Sequence, residues 1–217
     1  MDDRQYAPAT QRNRQGILKI LSEVLPPGSN VLEIASGTGE HATFFASQLE
    51  SCHWIPSDVN ALARESIIAW QNACPVENLE LPLLIDVIQD NWQQEVLHRQ
   101  GAVPRMNSGA CTPRQINAIV NINMIHIAPW QAWLGLINGA SRLLPEGGIL
   151  YLYGPFKRNG EHTAPSNESF DRSLRDRNPL WGVRDLEEIL ATAAAQNLTL
   201  QQVIAMPANN LSVIFNR

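Results

Sequence analysis

Apolar and polar positions along this chain follow two periods that alternate with each other. From Arg12 to Leu25, the residues Ile17, Leu18, Leu21, Val24 and Leu25 recur at helical spacing, and Pro26-Pro27-Gly28 ends the run. Val31 to Ala35 is a short apolar run suited to a buried strand. The chain then turns through Gly37 and Gly39 into a helix carrying Ala42, Phe44, Phe45, Ala46 and Leu49. The unit recurs. His53 to Pro56 reads as a second strand and Ala61 to about Asn72 as its helix. Leu81 to Val87 reads as a third strand, followed by a helix over Asn91 to Gln100. Ala118 to Ile122 and the helix from about Pro129 to Leu144 form the fourth unit. Pro145-Glu146-Gly147-Gly148 turns tightly into a fifth strand, Ile149 to Tyr153. A helix from about Arg184 to Asn197 leads into two more strands, Leu198 to Ala205 and Leu211 to Phe215, joined by Pro207-Ala208-Asn209-Asn210 as a hairpin. Strands alternating with helices of this length predict an α/β fold with a mostly parallel sheet and helices on both faces. The terminal hairpin requires one strand to run against the others.

Three segments break the rhythm. Residues 1–11 are polar and contain Pro8, which suggests a flexible arm or lid. Residues 101–115 hold Gly, Pro, Ser, Asn and Thr without periodicity and read as a surface insertion. Residues 154–182 form a long excursion with a short helix from Asn167 to Arg177. Its place at the carboxyl end of a strand is where α/β proteins keep substrate lids. No internal repeat beyond the βα rhythm and no second domain is apparent over residues 1–217.

Composition narrows the function classes. Hydrophobic residues make up 44% of the 217 positions and charged residues 17%, enough apolar material for one sizeable core. A formal net charge of -5 argues against broad attraction to nucleic acid or anionic membranes. Arg172, Arg175 and Arg177 read better as a solvated helix face than as a basic patch. Cys52, Cys74 and Cys111 are odd in number and lack CxxC spacing, so neither a disulfide framework nor structural zinc is expected. The start has no apolar targeting segment and no apolar run approaches membrane-spanning length, which makes a cytoplasmic protein the expectation.

The loop Ser36-Gly37-Thr38-Gly39 carries the chemistry. It lies between a buried strand and a helix, where Gly37 can adopt a positive φ and Gly39 lets a ligand approach the backbone. The helix N-terminus behind it offers free N–H groups and a positive dipole end. Gly37-x-Gly39-x-x-Ala42 also fits the dinucleotide-binding fingerprint, so the glycines alone permit a nicotinamide cofactor. An acid about 20 residues on should take the ribose hydroxyls, and Asp58 stands there; its alternative role is to cap the next helix. Asp86 can accept from an adenine amino group, or it can cap a turn.

Val31-Leu32-Glu33-Ile34-Ala35-Ser36-Gly37-Thr38-Gly39 resembles the first motif of class I S-adenosylmethionine-dependent methyltransferases, with Asp58 and Asp86 where that superfamily keeps its ribose and adenine acids. The terminal hairpin resembles its reversed seventh strand. A narrower resemblance, to the methyltransferase-like family catalogued as domain of unknown function 938, lies in several stretches. They are Glu33 to His41, Pro56-Ser57-Asp58, Asn123-Met124-Ile125-His126-Ile127, Tyr153-Gly154-Pro155-Phe156, Ser166-Asn167, Phe170-Asp171, Trp181 to Asp185 and Met206 to Asn210. The resemblance implies a Rossmann-like, seven-stranded sheet of order 3-2-1-4-5-7-6. It also implies that S-adenosylmethionine is the cofactor and S-adenosylhomocysteine the product. Glu33, Ala35 and Gly37 would line its methionine end, with Ser36, Thr38, Gly39 and His41 completing the loop. Asp58 would hold the ribose, Asp86 and Val87 would frame the adenine, and Asn121, Asn123 and Met124 would lie beside the sulfonium. The family does not name an acceptor.

Methyl transfer from a sulfonium needs no metal, and needs a base only when the acceptor must lose a proton. His126 is the candidate base, since it follows the fourth strand and an unperturbed imidazole titrates at about 6.5; the alternative is a structural histidine. Tyr153, Asn167, Asp171, Arg175, Trp181, Arg184, Asn209 and Asn210 are candidate acceptor contacts because they cluster at one strand edge. No His or Cys pair has metal-ligand spacing, and Ser36 precedes the glycines rather than forming a nucleophile elbow. The leading expectation is methyl transfer to a small-molecule acceptor. A catalytically silent cofactor-binding or interaction module and a nicotinamide-dependent oxidoreductase are the alternatives.

Overall fold

The computed structural model describes residues 2–102 and 115–217. Helix α1 (Pro8–Val24) buries Ile17, Ile20 and Leu21, and Pro8 at its start suits a position where the missing N–H costs nothing. Strands β1 (Asn30–Ile34), β2 (His53–Pro56), β3 (Ala118–Ile122) and β4 (Ile149–Gly154) run parallel to one another. Helices α2 (Glu40–Gln48), α3 (Ala61–Ala73), α4 (Gln93–Ala102) and α5 (Trp130–Leu143) provide the crossovers.

After β4 the excursion forms its own small sheet, made of β5 (Phe156–Arg158), β6 (Glu161–His162) and β7 (Arg184–Asp185), with α6 (Pro165–Arg177) between. Helix α7 (Leu186–Ala194) then leads to β8 (Thr199–Met206) and β9 (Asn210–Asn216). The main sheet has the order β2-β1-β3-β4-β9-β8, and β9 lies antiparallel to both β4 and β8. Because β9 inserts between β4 and β8, the hairpin has its expected reversed strand. Alternate residues on each strand feed two cores. Leu32, Ile34 and Ile119 face α5 and α7, while Val31, Ala118 and Val120 face α1 and α2.

The expected third strand, Leu81 to Val87, is the main departure from the pattern, because among the described residues the main sheet has six strands where seven were expected. The segment makes only two isolated parallel bridges, Trp54 with Leu79 and Ser57 with Leu83. Two prolines explain this. The ladder begins normally, with Trp54 N–H donating to Asn78 and Glu80 N–H donating to Trp54. Pro56 then has no N–H to give, and neither does Pro82. Pairing resumes one residue late, as Leu83 donates to Pro56 and Asp58 donates to Leu83. The Gln71 side chain meanwhile takes up the Leu79 and Glu80 carbonyls at 3.0 and 2.8 Å. The segment thus keeps the place of an edge strand without a continuous ladder.

Smaller corrections follow from local capping. Residues 8–11 of the expected arm belong to α1, which leaves residues 2–7. Those residues are tied down: Gln5 N–H donates to Ser66 Oγ at 2.8 Å, Trp70 Nε1–H donates to the Gln5 carbonyl at 3.0 Å, and Tyr6 packs edge-on against Trp70. Arg184 and Asp185 pair with β5 instead of opening a helix. Helix α7 starts after Asp185, whose carboxylate accepts the N–H groups of Glu187 and Glu188. Residues 103–114 of the expected insertion lie outside the described residues. Among the described residues no helix is long and apolar enough to cross a membrane.

Candidate functional site

The glycine loop leaves the carboxyl end of β1 with three successive odd-numbered residues at positive φ: Ala35 at 58°, Gly37 at 56° and Gly39 at 86°. Alanine rarely takes that conformation, and strain of this kind persists only where the surroundings fix it. Here they do. Ser36 N–H donates to the Ser57 carbonyl at 2.8 Å, Ser57 N–H donates back to Ser36 Oγ at 3.2 Å, and Ser57 Oγ donates to the Glu33 carbonyl at 2.7 Å. A Cβ on Gly39 would lie 2.8 Å from the Ile67 backbone, so α3 can pack against the loop only at glycine. A Cβ on Gly37 would meet nothing within 4 Å, which marks the open side of the loop, where a ligand can approach the backbone.

Asp58, at the end of β2, faces that opening and is buried. One carboxylate oxygen accepts the Gly37 N–H at 3.0 Å and the other accepts the Asn60 N–H at 2.8 Å. Each oxygen keeps a further lone pair, so the carboxylate can serve the loop and a pair of ribose hydroxyls together. Asp58 does not cap α3, because Asn60 supplies that side chain. Asp86 is bound into a turn, accepting the Ile88 N–H at 3.0 Å and the Gln89 amide at 3.3 Å, with Val87 buried beside it.

Glu33 lies beneath the loop. It is 1% exposed, and Trp54 Nε1–H donates to its carboxylate at 2.8 Å. Burial pushes its pKa up to about 7, against the opposing pull of the Trp54 and Ser36 hydrogen bonds. On the neighbouring strand Asn121 donates to the Ile34 carbonyl at 3.0 Å, while its buried Oδ1 has no partner. A buried acceptor without a donor is costly, and a donor on a bound ligand would satisfy this one. The open approach at Gly37, the spare lone pairs of the Asp58 carboxylate and this orphaned oxygen offer space and acceptors that fit S-adenosylmethionine, whose ribose hydroxyls and ammonium group are donors.

On the other side of the β3 terminus the chain turns through Asn123, at φ 64°, into a short 3₁₀ turn over Met124–His126. Met124 is buried there. His126 is 1% exposed, packs edge-on against Phe156, and has no partner on either ring nitrogen. Burial and the nearby Arg184 charge push its pKa down to about 3. A Cβ on Gly154 would overlap the ring, so the histidine is wedged behind β4. The ring is thus enclosed behind β4, and His126 does not line the cavity that opens beside Asn123.

A cavity of about 740 Å³ opens beside Asn123. Its wall combines Tyr153 with Asn167, Asn209 and Asn210, four of the expected acceptor contacts, and adds Arg12, Asn13, Phe170 and Met206. The α1 residues carried no sequence signal, because Arg12 and Asn13 are ordinary solvent-side positions of an amphipathic helix. Asn167 ties the wall together, donating to Thr163 Oγ1 at 3.0 Å and to the Asn209 carbonyl at 2.9 Å.

The other expected contacts stand elsewhere. Asp171 is the hub of a buried cluster, accepting the Val183 N–H at 2.7 Å and pairing with Lys157, His162 and Arg175. Burial pushes its carboxyl up, but the Val183 N–H and the cations outweigh that and hold it below the ordinary range. Arg184 clasps the 3₁₀ turn through the Ile125 and Ala128 carbonyls at 2.9 and 2.6 Å. Trp181 donates its backbone N–H to Asn178 and does not line the cavity. Asp171, Arg175, Trp181 and Arg184 therefore hold the excursion in place and are not cavity contacts.

The family described as "Protein of unknown function (DUF938)" matches residues 4–217. The chain belongs to the DUF938 family. Solved structures similar to this DUF938 chain include an O-methyltransferase family protein from Burkholderia thailandensis, at a TM-score of 0.74 and 13% identity over 96% of the chain. An O-methyltransferase family 2 protein from Planctomyces limnophilus in complex with apigenin matches at 0.68 and 17% over 96%. Human N-acetylserotonin methyltransferase in complex with SAM matches at 0.70 and 13% over 96%. The chain spans 57%, 60% and 52% of those three proteins, little more than half of each. At such identities the likeness shows the fold, which is that of class I S-adenosylmethionine-dependent methyltransferases.

Proposed function

We propose that this DUF938 protein transfers a methyl group from S-adenosylmethionine to a small-molecule acceptor. One observation carries the reading: the end of β3 sets Asn121 against the glycine-loop strand and, two residues on, Asn123 in the wall of the cavity. The cofactor end and the acceptor end therefore meet at one strand terminus, as in-line transfer requires. The neighbours captured with SAM and with apigenin support a cofactor and a small acceptor of this kind.

When bound, S-adenosylmethionine supplies a methyl group on a positively charged sulfur that leaves readily. The protein's part is to hold and align. Asp58 fixes the Gly37 N–H and would hold the ribose, Asn121 Oδ1 would accept from a ligand donor, and Asp86 with Val87 would border the adenine. Residues 4–217 then act as one unit, with residues 154–182 closing the acceptor side through Asn167.

Calorimetry with S-adenosylhomocysteine and with NAD tests the cofactor, and labelled methyl transfer into a cell extract tests the reaction. Micromolar binding of S-adenosylhomocysteine with labelled small-molecule product is expected. Binding of NAD alone would sink the reading, and cofactor binding without labelled product would favour a silent binding module.

A further inference from the structure

Among the described residues the cavity wall holds no carboxylate, histidine, lysine or cysteine; Arg12 and Tyr153 are its ionisable side chains. No side chain there is fit to take a proton from an acceptor, and His126 is buried outside the wall. An acceptor methylated here through a group that carries a proton must therefore arrive with that group already deprotonated, and the cationic Arg12 at the wall favours such an anion over a neutral lone-pair nucleophile.

The polar groups are arranged to receive such an anion. His41 Nε2 lies 2.8 Å from Asn13 Oδ1, and an amide oxygen only accepts, so the imidazole donates its proton there. Burial and the Arg14 charge keep that imidazole neutral by pushing its pKa down to about 4. The Asn13 amide, its oxygen taken by His41, lines the same cavity as Tyr153 and keeps an NH₂ group that can donate there. Tyr153 lines that cavity, so its hydroxyl can donate to a partner held there. Burial pushes the Tyr153 pKa up, so it remains a donor. Arg12 is exposed and has no ion-pair partner among the described residues, which leaves its charge unbalanced at the wall. Phe170, Pro155 and Met206 supply apolar surface for the acceptor's body.

Resting on the methyl-transfer reading, we infer that the acceptor is a small, largely apolar oxyanion, a carboxylate or an acidic phenol, held by the Tyr153 hydroxyl and balanced by Arg12. In the reaction the oxyanion attacks the methyl carbon, an O–C bond forms, and the C–S bond breaks with its electron pair going to sulfur. A positive sulfonium and a negative oxygen give two neutral products, and no proton moves.

The test is calorimetry of probe pairs matched in shape, with and without S-adenosylhomocysteine: 2-naphthoate against 2-naphthamide, and 4-nitrophenol against 4-nitroaniline at a pH where the phenol is ionised. At least one anion should bind about tenfold more tightly than its neutral counterpart, and the pair that shows it separates carboxylate from phenol. Arg12→Gln should erase that preference while S-adenosylhomocysteine affinity stays within about twofold. If the nitrophenolate binds, its absorption band should shift between the native protein and Tyr153→Phe, because a hydrogen bond to the oxyanion is lost; a purely structural tyrosine would leave the band alone. Equal binding of anion and neutral partner in both pairs overturns the inference, as does a preference that survives Arg12→Gln. Failure of S-adenosylhomocysteine to bind while an Arg12-dependent anion preference persists would overturn the methyl-transfer reading and leave the anion site standing.

Discussion

The two halves of the site are built in opposite ways. The proposed cofactor side is nearly continuous in sequence: Glu33 to His41 and Asp58 come from one strand-loop-helix unit and the end of the next strand. Its loop is locked by backbone hydrogen bonds and by contact with Ile67. The proposed acceptor side draws on α1, the turn after β3, the end of β4, α6 and the β8–β9 connection. It is held mainly by side-chain amides, among them Asn13 and Asn167. The first half is held by serine, aspartate and backbone hydrogen bonds that join the neighbouring ends of β1 and β2; the second can change wall residues without disturbing the sheet. That division suits a fold in which one cofactor serves many acceptors.

Substitutions can break or sharpen this contrast. The largest effect should come from Gly39→Ala, which forces an L-residue to φ 86° and sets its Cβ against the Ile67 backbone. A loss of about 3 kcal/mol in denaturant unfolding is expected, with cofactor binding abolished. A stable variant that still bound would show the loop to be less locked than its geometry requires. Asp58→Ala should be next. Loss of charge-assisted hydrogen bonds should weaken S-adenosylhomocysteine by about 100-fold in calorimetry, while anion binding in the cavity persists.

Glu33 gives a pH dependence. Its folded pKa of about 7 lies above the usual 4.5, so the folded state holds the proton more tightly. Its stabilising contribution is therefore complete below about pH 4.5 and is lost as pH rises through about 7. Glu33→Gln keeps an acceptor for Trp54 and removes the buried charge, so it should be the more stable protein at pH 8, by on the order of 2 kcal/mol. Parallel stability–pH curves for the two proteins would refute that. The smallest effect belongs to the acceptor wall. Gly16→Ala places a Cβ 3.2 Å from the flexible end of Met206. The gain in helix propensity should offset that contact, leaving stability within about 0.5 kcal/mol of the native protein. Any change should appear in acceptor binding and not in cofactor affinity.

The fold was legible where hydrophobic period and turn chemistry agree. The reversed hairpin and the strand–glycine–helix unit followed from residues adjacent in sequence. The third strand was misread because its apolar run looks continuous, whereas Pro56 and Pro82 remove successive ladder bonds from two different segments. Arg184 was misread as helical because Asp185, its neighbour, is the residue that caps the helix. In the site, Asp58 could be placed from its spacing to the glycines. The role of Asp171 could not, since nothing local shows that Lys157, His162 and Arg175 converge on it. His126 looked available because it follows a strand end, and only packing against Phe156 and Gly154 shows that it is walled in.

The sequence alone determined the βα rhythm, the glycine loop and the acid that answers it, because each depends on neighbours within one turn or one crossover. Tertiary structure alone decided the acceptor side. It brought Asn13 of α1 against His41 and set it, with Arg12, in the same cavity wall as Tyr153. Side chains more than a hundred residues apart come to line one cavity only when the sheet and α1 pack together.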